Sequence, residues 1–223
     1  MNERLGVLFD MDGVLVDSYR AHFQSWQEVA AEEGRTLTEA DFERHFGRTS
    51  REIIAVSWHD RAYTDAQIAA LDDRKEAAFR RILAESFPFM PGAVELLDSL
   101  SAAGFALAVG SSGPPENVDL VLDRLGRRVV FGAVVTGSDV TRGKPDPEVF
   151  LLAAERLGIR PERCAVVEDA EPGVAAARAA GMASIGFAST GRTRDSLAAA
   201  DLVVDALAEL DPEGIRALIL RRR

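Results

Sequence analysis

Hydrophobic residues follow two alternating patterns along this chain from about residue 88 onward. Short, continuous apolar runs alternate with longer segments whose apolar residues recur at helical spacing, and glycines stand where those helical segments end. A continuous apolar run is typical of a parallel strand that is covered on both faces. Five such strands are predicted after residue 88, and one more lies near the start of the sequence. The six are LGVLFD (5–10), FALAVGSS (105–112), AVVTG (133–137), CAVVED (164–169), ASIGF (183–187) and DLVVD (201–205).

This alternation predicts an α/β fold, a doubly wound, Rossmann-like parallel sheet with helices on both faces. Residues 17–87 differ, because they contain no convincing strand. In YRAHFQSWQEVAAEEG, apolar residues at positions 19, 23, 26 and 30 form a helical stripe that ends at Gly34. We therefore predict a core domain of residues 1–16 and 88–223, with an all-helical insertion of residues 17–87 between the first strand and the rest of the sheet.

Composition and charge narrow the function classes. Hydrophobic residues make up 47% of the chain and charged residues 28%, which is typical of a soluble protein with a sizeable core. We find no signal-peptide pattern and no apolar run of the ~18 residues that a membrane helix needs, so we expect a cytoplasmic protein without a membrane partner. The net charge of −10 argues against a nucleic-acid partner. We also expect the protein to be a monomer or a weak dimer. The single cysteine, Cys164, is expected to pack rather than to react.

Polar residues cluster where the predicted strands end. In open parallel sheets, ligands bind beyond the carboxyl ends of the strands. The first strand ends in Asp10, with Asp12 two residues beyond it. The other members of this set follow later strands or, for the lysine, precede a helix: Ser111, Ser112, Gly113, Lys144, Glu168 and Asp169.

These residue types together indicate phosphate chemistry. Four neighbouring carboxylates repel one another unless a cation neutralises them, and carboxylate oxygens combined with a substrate phosphate suit Mg²⁺. Small hydroxyls, glycine N–H groups and a lysine suit the phosphate itself. Lysine is rare, because the chain has 24 arginines but only two lysines, Lys75 and Lys144. Lysine and arginine are not interchangeable at a phosphate site, so this rarity favours a phosphate-binding role for Lys144. The set favours phosphoryl transfer, with one carboxylate as nucleophile and another as general acid and base.

Four segments of the chain resemble, in order and spacing, the four motifs of the haloacid dehalogenase superfamily. They are DMDGV (10–14), Ser111 of VGSS, Lys144 of GKPDP and EDAEPG (168–173). The helical insertion resembles the helical cap of that superfamily, and the resemblance covers essentially the whole chain. The pattern is most similar to the β-phosphoglucomutase-like subgroup of sugar-phosphate phosphatases and mutases.

The resemblance implies a role for each of these residues. Asp10 would attack phosphorus and become an aspartyl phosphate. Asp12 would protonate the leaving alcohol and then deprotonate the water or hydroxyl that accepts the phosphoryl group. Lys144 would bridge Asp10 and the phosphate. The phosphate oxygens would be bound by Ser111, Ser112 and Gly113.

The same resemblance implies Mg²⁺ as the cofactor. The ion would be held by Asp10, by the backbone carbonyl of Asp12 and by Asp169. Glu168 would either support these ligands or bind the ion itself.

The resemblance also indicates substrate contacts in the helical insertion, from His22, Arg48 and Arg51. A histidine at this spacing helps to position the general acid in β-phosphoglucomutases, and similar phosphatases carry one too, so it does not separate the two activities. A partly buried helix histidine and solvated arginines are the alternatives. Three more residues are interpreted as surface residues: His45, His59 and Lys75.

Two departures from the subgroup bear on the substrate. β-Phosphoglucomutases carry one lysine in the cap and another after the second-motif serine, and a mutase needs charge for a second phosphate. Here the cap position is Phe46, and the other segment offers Pro114 and Pro115. We therefore favour a phosphatase that acts on a small phosphorylated metabolite such as a sugar phosphate, with a phosphosugar mutase as the alternative.

Three further classes fit the sequence less well. A 2-haloacid dehalogenase needs neither Mg²⁺ nor an acid at the position of Asp12. A phosphonatase needs a cap lysine for a Schiff base, and Lys75 lies deep in a long helical pattern. A non-enzymatic receiver module phosphorylated on aspartate stays as an alternative, but its aspartate ends the third strand rather than the first, and it has no helical insertion.

Overall fold

The computed structural model of the protein describes residues 4–44, 50–58 and 62–221. The chain divides into two compact units. The first, the core unit, comprises Met1–Asp17 and Pro88–Arg223, and the second, the helical unit, comprises Ser18–Phe87. That the helical unit serves as a cap stays a prediction.

The core unit contains a parallel sheet, which confirms the predicted fold class. Its described strands are β1 (Gly6–Phe9), β2 (Ala106–Gly110), β3 (Phe131–Val135), β4 (Cys164–Glu168), β5 (Ala183–Phe187) and β6 (Leu202–Val204). Their order is β3-β2-β1-β4-β5-β6, and all the pairs are parallel. The strand order therefore reverses beside β1, which is where doubly wound sheets bind their ligands.

Helices occupy most of the remaining described chain, the first four in the helical unit and the other five in the core unit. They are α1 (Tyr19–Glu32), α2 (Glu39–Glu43), α3 (Ser50–Ser57), α4 (Asp65–Glu85), α5 (Ala93–Ala102), α6 (Pro115–Leu125), α7 (Glu148–Leu157), α8 (Glu171–Ala179) and α9 (Pro212–Arg221). Among these described helices, none combines the length and hydropathy that crossing a bilayer requires.

Local sequence sets the ends of the helices that flank the sheet. Pro114 precedes α6 and Pro147 precedes α7, at positions where a missing backbone N–H costs little. Gly126 and Gly158 end the same two helices with φ angles of 64° and 67°, a left-handed conformation that glycine adopts without strain. Each helix buries one apolar stripe, and α7 packs against β2 and β3.

The strands near the middle of the sheet are buried along their whole length, as continuous apolar runs predict. One cluster of the core joins side chains of these strands to α7 and α8, with Phe150 and Val166 both fully buried. Cys164 lies in this cluster, and burial raises the pKa of its thiol to about 12. A buried thiol of this kind is unreactive, which agrees with the packing role that the sequence predicts.

The helical unit has a core of its own. The predicted stripe of α1 is confirmed, because Tyr19, Phe23, Trp26 and Ala30 are all buried. These residues belong to an aromatic-rich cluster in which the rings of Trp26 and Trp58 meet edge to face at 6.1 Å. Helix α4 lies along α1 and supplies further members of the cluster.

Candidate active site

The register of the sheet places Asp10 beside Glu168. Phe9 is paired with Val109 of β2 and with Val167 of β4, so the next residues, Asp10, Gly110 and Glu168, are level across three neighbouring strands. The Asp10 N–H donates to the carbonyl oxygen of Val167 at 3.0 Å, which extends the pairing by one residue. Neighbouring strands lie about 4.8 Å apart, so two carboxylates meet at the carboxyl edge of the sheet.

Lys144 lies between these two carboxylates. Its Nζ atom is 2.6 Å from Oδ1 of Asp10 and 2.7 Å from Oε1 of Glu168, and only 10% of its side chain is exposed. The ammonium group also lies 4.9 Å from the ring centre of Phe150, which is fully buried beneath it. One of the two lysines of the chain is thus held by two carboxylates and an aromatic face.

Three carboxylates converge closely enough to share a cation. One oxygen from each of Asp10, Glu168 and Asp169 can be chosen so that all lie within 4.8 Å of one another, and all three residues are buried. Oε2 of Glu168 accepts the Ala170 N–H at 3.0 Å while Oε1 accepts from Lys144, so both of its oxygens already have protein donors. Only carboxylate oxygens are offered, a donor set that fits Mg²⁺.

Burial makes this carboxylate group costly to ionise. Desolvation raises the pKa of Glu168 to about 7 and that of Asp169 to about 6, with further increases from the neighbouring carboxylates and decreases from Lys144 and Arg192. Desolvation also raises the pKa of Asp10, opposed by Lys144 and reinforced by Asp12. A cation that joined this group would relieve the repulsion among its members.

The pKa of Lys144 moves in the opposite direction to what burial alone would cause. Desolvation lowers it, but the attraction of Asp10 and Glu168 outweighs that effect, and the pKa is raised. Lys144 is therefore a permanent ammonium cation. It balances one of the negative charges at this edge of the sheet.

Two glycines make room for the carboxylates. Gly13 follows the first strand with a φ of 75°, and a Cβ atom there would overlap the carboxylate of Asp169. A Cβ atom on Gly173, the third residue of α8, would overlap the carboxylate of Glu168. The glycines of DMDG and EPG are therefore required by close approach.

Gly173→Ala is expected to disturb Glu168 specifically. The added methyl group would displace the carboxylate from Lys144, which should lower kcat/KM by roughly tenfold or more and destabilise the fold by about 1–3 kcal/mol. Gly214→Ala is a matched control, because Gly214 is the third residue of α9 and a Cβ atom there meets nothing closer than 3.5 Å. Steady-state kinetics and thermal unfolding of both variants test this, and equal behaviour of the two would contradict it.

The loop after β2 holds the predicted phosphate-binding residues. Ser111 is buried, its N–H donates to the carbonyl of Val135 at 3.0 Å, and its Oγ accepts the N–H of Gly113 at 3.0 Å. The Gly113 carbonyl accepts the N–H of Gly137 at 2.9 Å, and Ser112 is exposed. The loop therefore folds back on Ser111 and begins at the same edge of the sheet as Asp10. Phosphate binding by these residues stays a prediction.

Asp12 lies just beyond Asp10 and is half-buried. Its backbone forms an isolated bridge with Val16, so residues 12–16 turn back on themselves directly after β1. The two aspartates are close enough for the charge of Asp12 to contribute to the raised pKa of Asp10. This proximity suits a second carboxylate that acts on the same phosphate.

His22 and Lys75 meet inside the helical unit, and the interpretation of Lys75 as a surface residue is wrong. Lys75 is 5% exposed, and its Nζ lies 2.9 Å from Nδ1 of His22 and 2.7 Å from Oε1 of Glu76. The buried ammonium keeps these partners because a buried charge must be paired. Lys75 has only donors, so Nδ1 of His22 is the acceptor and the proton of a neutral ring is on Nε2. The ring of His22 is stacked on Phe79 at 4.1 Å.

The remaining predictions for the helical unit have different outcomes. Arg51 lies in α3 and forms an exposed ion pair with Asp65, with an N–O distance of 2.9 Å. Exposed pairs of this kind contribute little to stability. Arg48, together with His45, Phe46 and His59, lies outside the described residues.

Sequence reasoning missed two residues of the site, Ser189 and Arg192. Both donate to Oδ2 of Asp169, Ser189 Oγ at 3.2 Å and Arg192 Nε at 3.3 Å. The segment ASTGRT follows β5, and the predicted residues likewise lie at or just beyond the ends of β1, β2 and β4. The rule that polar residues at strand ends form the site would have included them, had it been applied to the fifth strand.

The chain is similar to known proteins along most of its length. A family model described as haloacid dehalogenase-like hydrolase matches residues 5–181. A β-phosphoglucomutase of Bacillus subtilis is 33% identical over 214 residues, which cover 93% of this chain and 92% of that protein. A fructose-1-phosphate phosphatase of Escherichia coli is 35% identical over 181 residues, 81% of this chain and 94% of that protein.

A solved structure matches both the fold and the extent of the chain. It is a hydrolase of the same superfamily, family IA, variant 3, from Entamoeba histolytica, with a TM-score of 0.89 and 26% sequence identity. The match covers 97% of this chain and 99% of that one.

Proposed function

Since the chain belongs to the haloacid dehalogenase-like hydrolase family, we propose that it is a Mg²⁺-dependent phosphatase that hydrolyses a small phosphorylated metabolite, such as a sugar phosphate, through an aspartyl phosphate at Asp10. One observation carries this proposal. Asp10 directly follows the central strand β1, in contact with a permanent cation, Lys144, and within reach of two further buried carboxylates. A carboxylate so placed is a nucleophile beside the charges that a phosphate ester needs.

The proposed reaction has two displacements at phosphorus. In the first, a carboxylate oxygen of Asp10 forms a bond to phosphorus while the bond from phosphorus to the ester oxygen breaks, and Asp12 gives its proton to the leaving alcohol. In the second, Asp12 takes a proton from water as the water oxygen attacks phosphorus, and the bond from phosphorus to Asp10 breaks. Inorganic phosphate leaves, and both carboxyl groups return to their starting protonation states.

Lys144 and Ser111 hold the transferring group in this proposal. Lys144 already contacts the oxygen of Asp10 and presents a compact positive charge where phosphate oxygens would lie. Ser111, with the N–H groups that follow it, supplies neutral donors from the next strand. In the free protein the Lys144 ammonium is shared between Asp10 and Glu168, so the phosphate would enter a site whose cation is already in place.

The carboxylates fit Mg²⁺ by number, charge and donor type. Asp10, Asp169 and the backbone carbonyl of Asp12 would hold the ion, and Glu168, whose two oxygens accept from Lys144 and Ala170, would support them. When bound, Mg²⁺ supplies positive charge that neutralises the phosphate oxygens. Each carboxylate must be ionised for binding, although burial favours its protonated form.

A mutase remains the second candidate, because the B. subtilis β-phosphoglucomutase is 33% identical. A mutase must also bind a second phosphate, away from the metal. The described segment that follows Ser111 enters α6 through Pro114 and Pro115, which offer no cation at that place. We therefore propose hydrolysis as the main activity.

The helical unit is proposed to select the substrate. The suggested contacts are His22, Arg48 and Arg51. For His22, the hydrogen bond from Lys75 makes Nδ1 an acceptor and fixes the orientation of the ring within the helical unit. The proposed partner is thus a small phosphorylated metabolite rather than nucleic acid or a membrane.

Metal removal tests the proposed activity. Purified protein is treated with EDTA and assayed for inorganic phosphate release from a panel of sugar phosphates, with and without added Mg²⁺. We expect phosphate release to stop in EDTA and to return with Mg²⁺. Full activity in excess EDTA would contradict the proposal. Zn²⁺ in place of Mg²⁺ is a useful comparison, since an oxygen-only set favours Mg²⁺.

The raised carboxyl pKa values predict an opposite pH dependence for the metal-free and metal-bound proteins. Glu168 and Asp169 have folded-state pKa values of about 7 and about 6, above their ordinary values of 4.5 and 3.8. The metal-free folded state therefore binds more protons than the unfolded state in this window, and its stability falls as pH rises through it. Mg²⁺ needs ionised ligands, so the stabilisation it provides grows over the same range.

Thermal unfolding measures this directly. The gain in Tm on adding Mg²⁺ should be larger at about pH 8 than at about pH 5.5. Asp169→Asn should reduce the gain at the higher pH. A gain independent of pH would show that binding of the ion is not linked to the ionisation of Glu168 and Asp169.

A further inference from the structure

Arg192 lies against a carboxylate of the proposed metal site. Its Nε atom is 3.3 Å from Oδ2 of Asp169, and the exposed fractions of the two side chains are 18% and 5%. Ser189 donates to the same oxygen at 3.2 Å. Both donors come from the segment after β5, so hydrogen bonds attach this segment to Asp169.

The packing around Oδ2 is close. Gly13 approaches it from the first loop, and a Cβ atom at that position would overlap this oxygen. Ser189 and Arg192 donate to it from the loop after β5. Oδ2 of Asp169 therefore accepts hydrogen bonds from the protein, and Oδ1 is the oxygen that would bind a cation.

The charge of Arg192 acts in two ways on this carboxylate. A guanidinium group stays protonated at any accessible pH, so it compensates a carboxylate that would otherwise be buried with too few positive charges near it. The same fixed charge repels a divalent cation that binds Asp169. The first effect stabilises the metal-free protein, and the second weakens the binding of the ion.

We propose that Arg192 is a positioning residue that acts through Asp169. Its charge stabilises the metal-free site and competes with Mg²⁺ for the Asp169 carboxylate. The bound ion therefore stays exchangeable. This inference rests on the proposed function, because it concerns the affinity of the same metal site. It assigns a role to the loop after β5 that none of the four motif segments provides.

Isothermal titration of the full chain with Mg²⁺ at about pH 8, together with thermal unfolding in EDTA, tests the proposal. Arg192→Gln should bind Mg²⁺ about tenfold more tightly than the unaltered protein and should unfold at a lower temperature in EDTA. Arg192→Lys keeps the charge and should retain an affinity close to that of the unaltered protein. Arg192→Met removes the charge in the same way and replaces Arg192→Gln if that variant does not fold.

The control is Arg194→Gln. Arg194 lies in the same loop but donates to Asp205 and to the carbonyl of Val203, so its loss should leave Mg²⁺ affinity unchanged. An unchanged or weaker Mg²⁺ affinity in Arg192→Gln would overturn the proposal, even if the Tm of the variant falls. A residue that only anchored the loop would lower the Tm without raising the affinity. An unaltered protein that binds no Mg²⁺ would overturn both this inference and the proposed metal dependence.

Discussion

Asp10→Asn should lower phosphate release by at least about 10³-fold while leaving the fold intact. The amide has nearly the shape of the carboxylate and can still accept a hydrogen bond from Lys144, but it cannot act as the nucleophile. Burial raises the pKa of Asp10, so its ionisation costs more in the metal-free folded protein than in the unfolded chain. The neutral amide should therefore unfold in EDTA at the same temperature as the unaltered protein or at a higher one.

Two measurements check this result, namely the rate of phosphate release and the melting temperature of the same sample. Asp98→Asn is the control, since Asp98 forms only an exposed ion pair with Arg127 and should keep full activity. An Asp10→Asn variant that retains more than about a thousandth of the activity would show that another group attacks phosphorus.

Among the proposed variants, Lys144→Met should lower the free energy of unfolding the most. The ammonium lies 2.6 Å and 2.7 Å from two buried carboxylates, and its removal leaves both without their cation. Breaking a buried ion pair from one side costs about 3–5 kcal/mol. Activity should be lost as well, because the same ammonium is proposed to hold the phosphate.

The deficit of Lys144→Met should also depend on pH. Without Lys144 the carboxyl groups of Asp10 and Glu168 bind protons more readily, so the variant should approach the stability of the unaltered protein as pH falls. Urea unfolding at about pH 8 and about pH 5.5 measures the difference. Arg142→Met in the same loop loses only the ion pairs of an exposed arginine and should change stability by less than about 1 kcal/mol. Equal deficits at both pH values would contradict the account.

The sequence predicted this site because its chemistry lies at strand ends, where local pattern is informative. A buried parallel strand is recognisable from its continuous apolar run, and its carboxyl end is then known to within a residue or two. The order of the strands brought residues as far apart as Asp10 and Lys144 to one edge of the sheet. The actual contact between these two side chains could not be read from the sequence, because it depends on the path of the loop before α7.

The interpretation of Lys75 failed because a general rule of lysine exposure was placed above the local pattern. The buried positions of α4 are Leu71, Lys75, Phe79 and Leu83, which recur at every fourth residue. Lysine on that stripe was a visible signal of a buried, paired ammonium. Its partner on α1, His22, depends on how the two helices pack and could not be predicted from either helix alone.

Phosphorus NMR of the Mg²⁺-loaded protein tests the central claim most directly. The sample contains β-glucose 1-phosphate primed with a trace of the 1,6-bisphosphate, and parallel samples contain other sugar phosphates. The account predicts that the signal of inorganic phosphate grows with at least one substrate and stays absent with Asp10→Asn or in EDTA. Growth of glucose 6-phosphate without inorganic phosphate would contradict it and would make the protein a mutase.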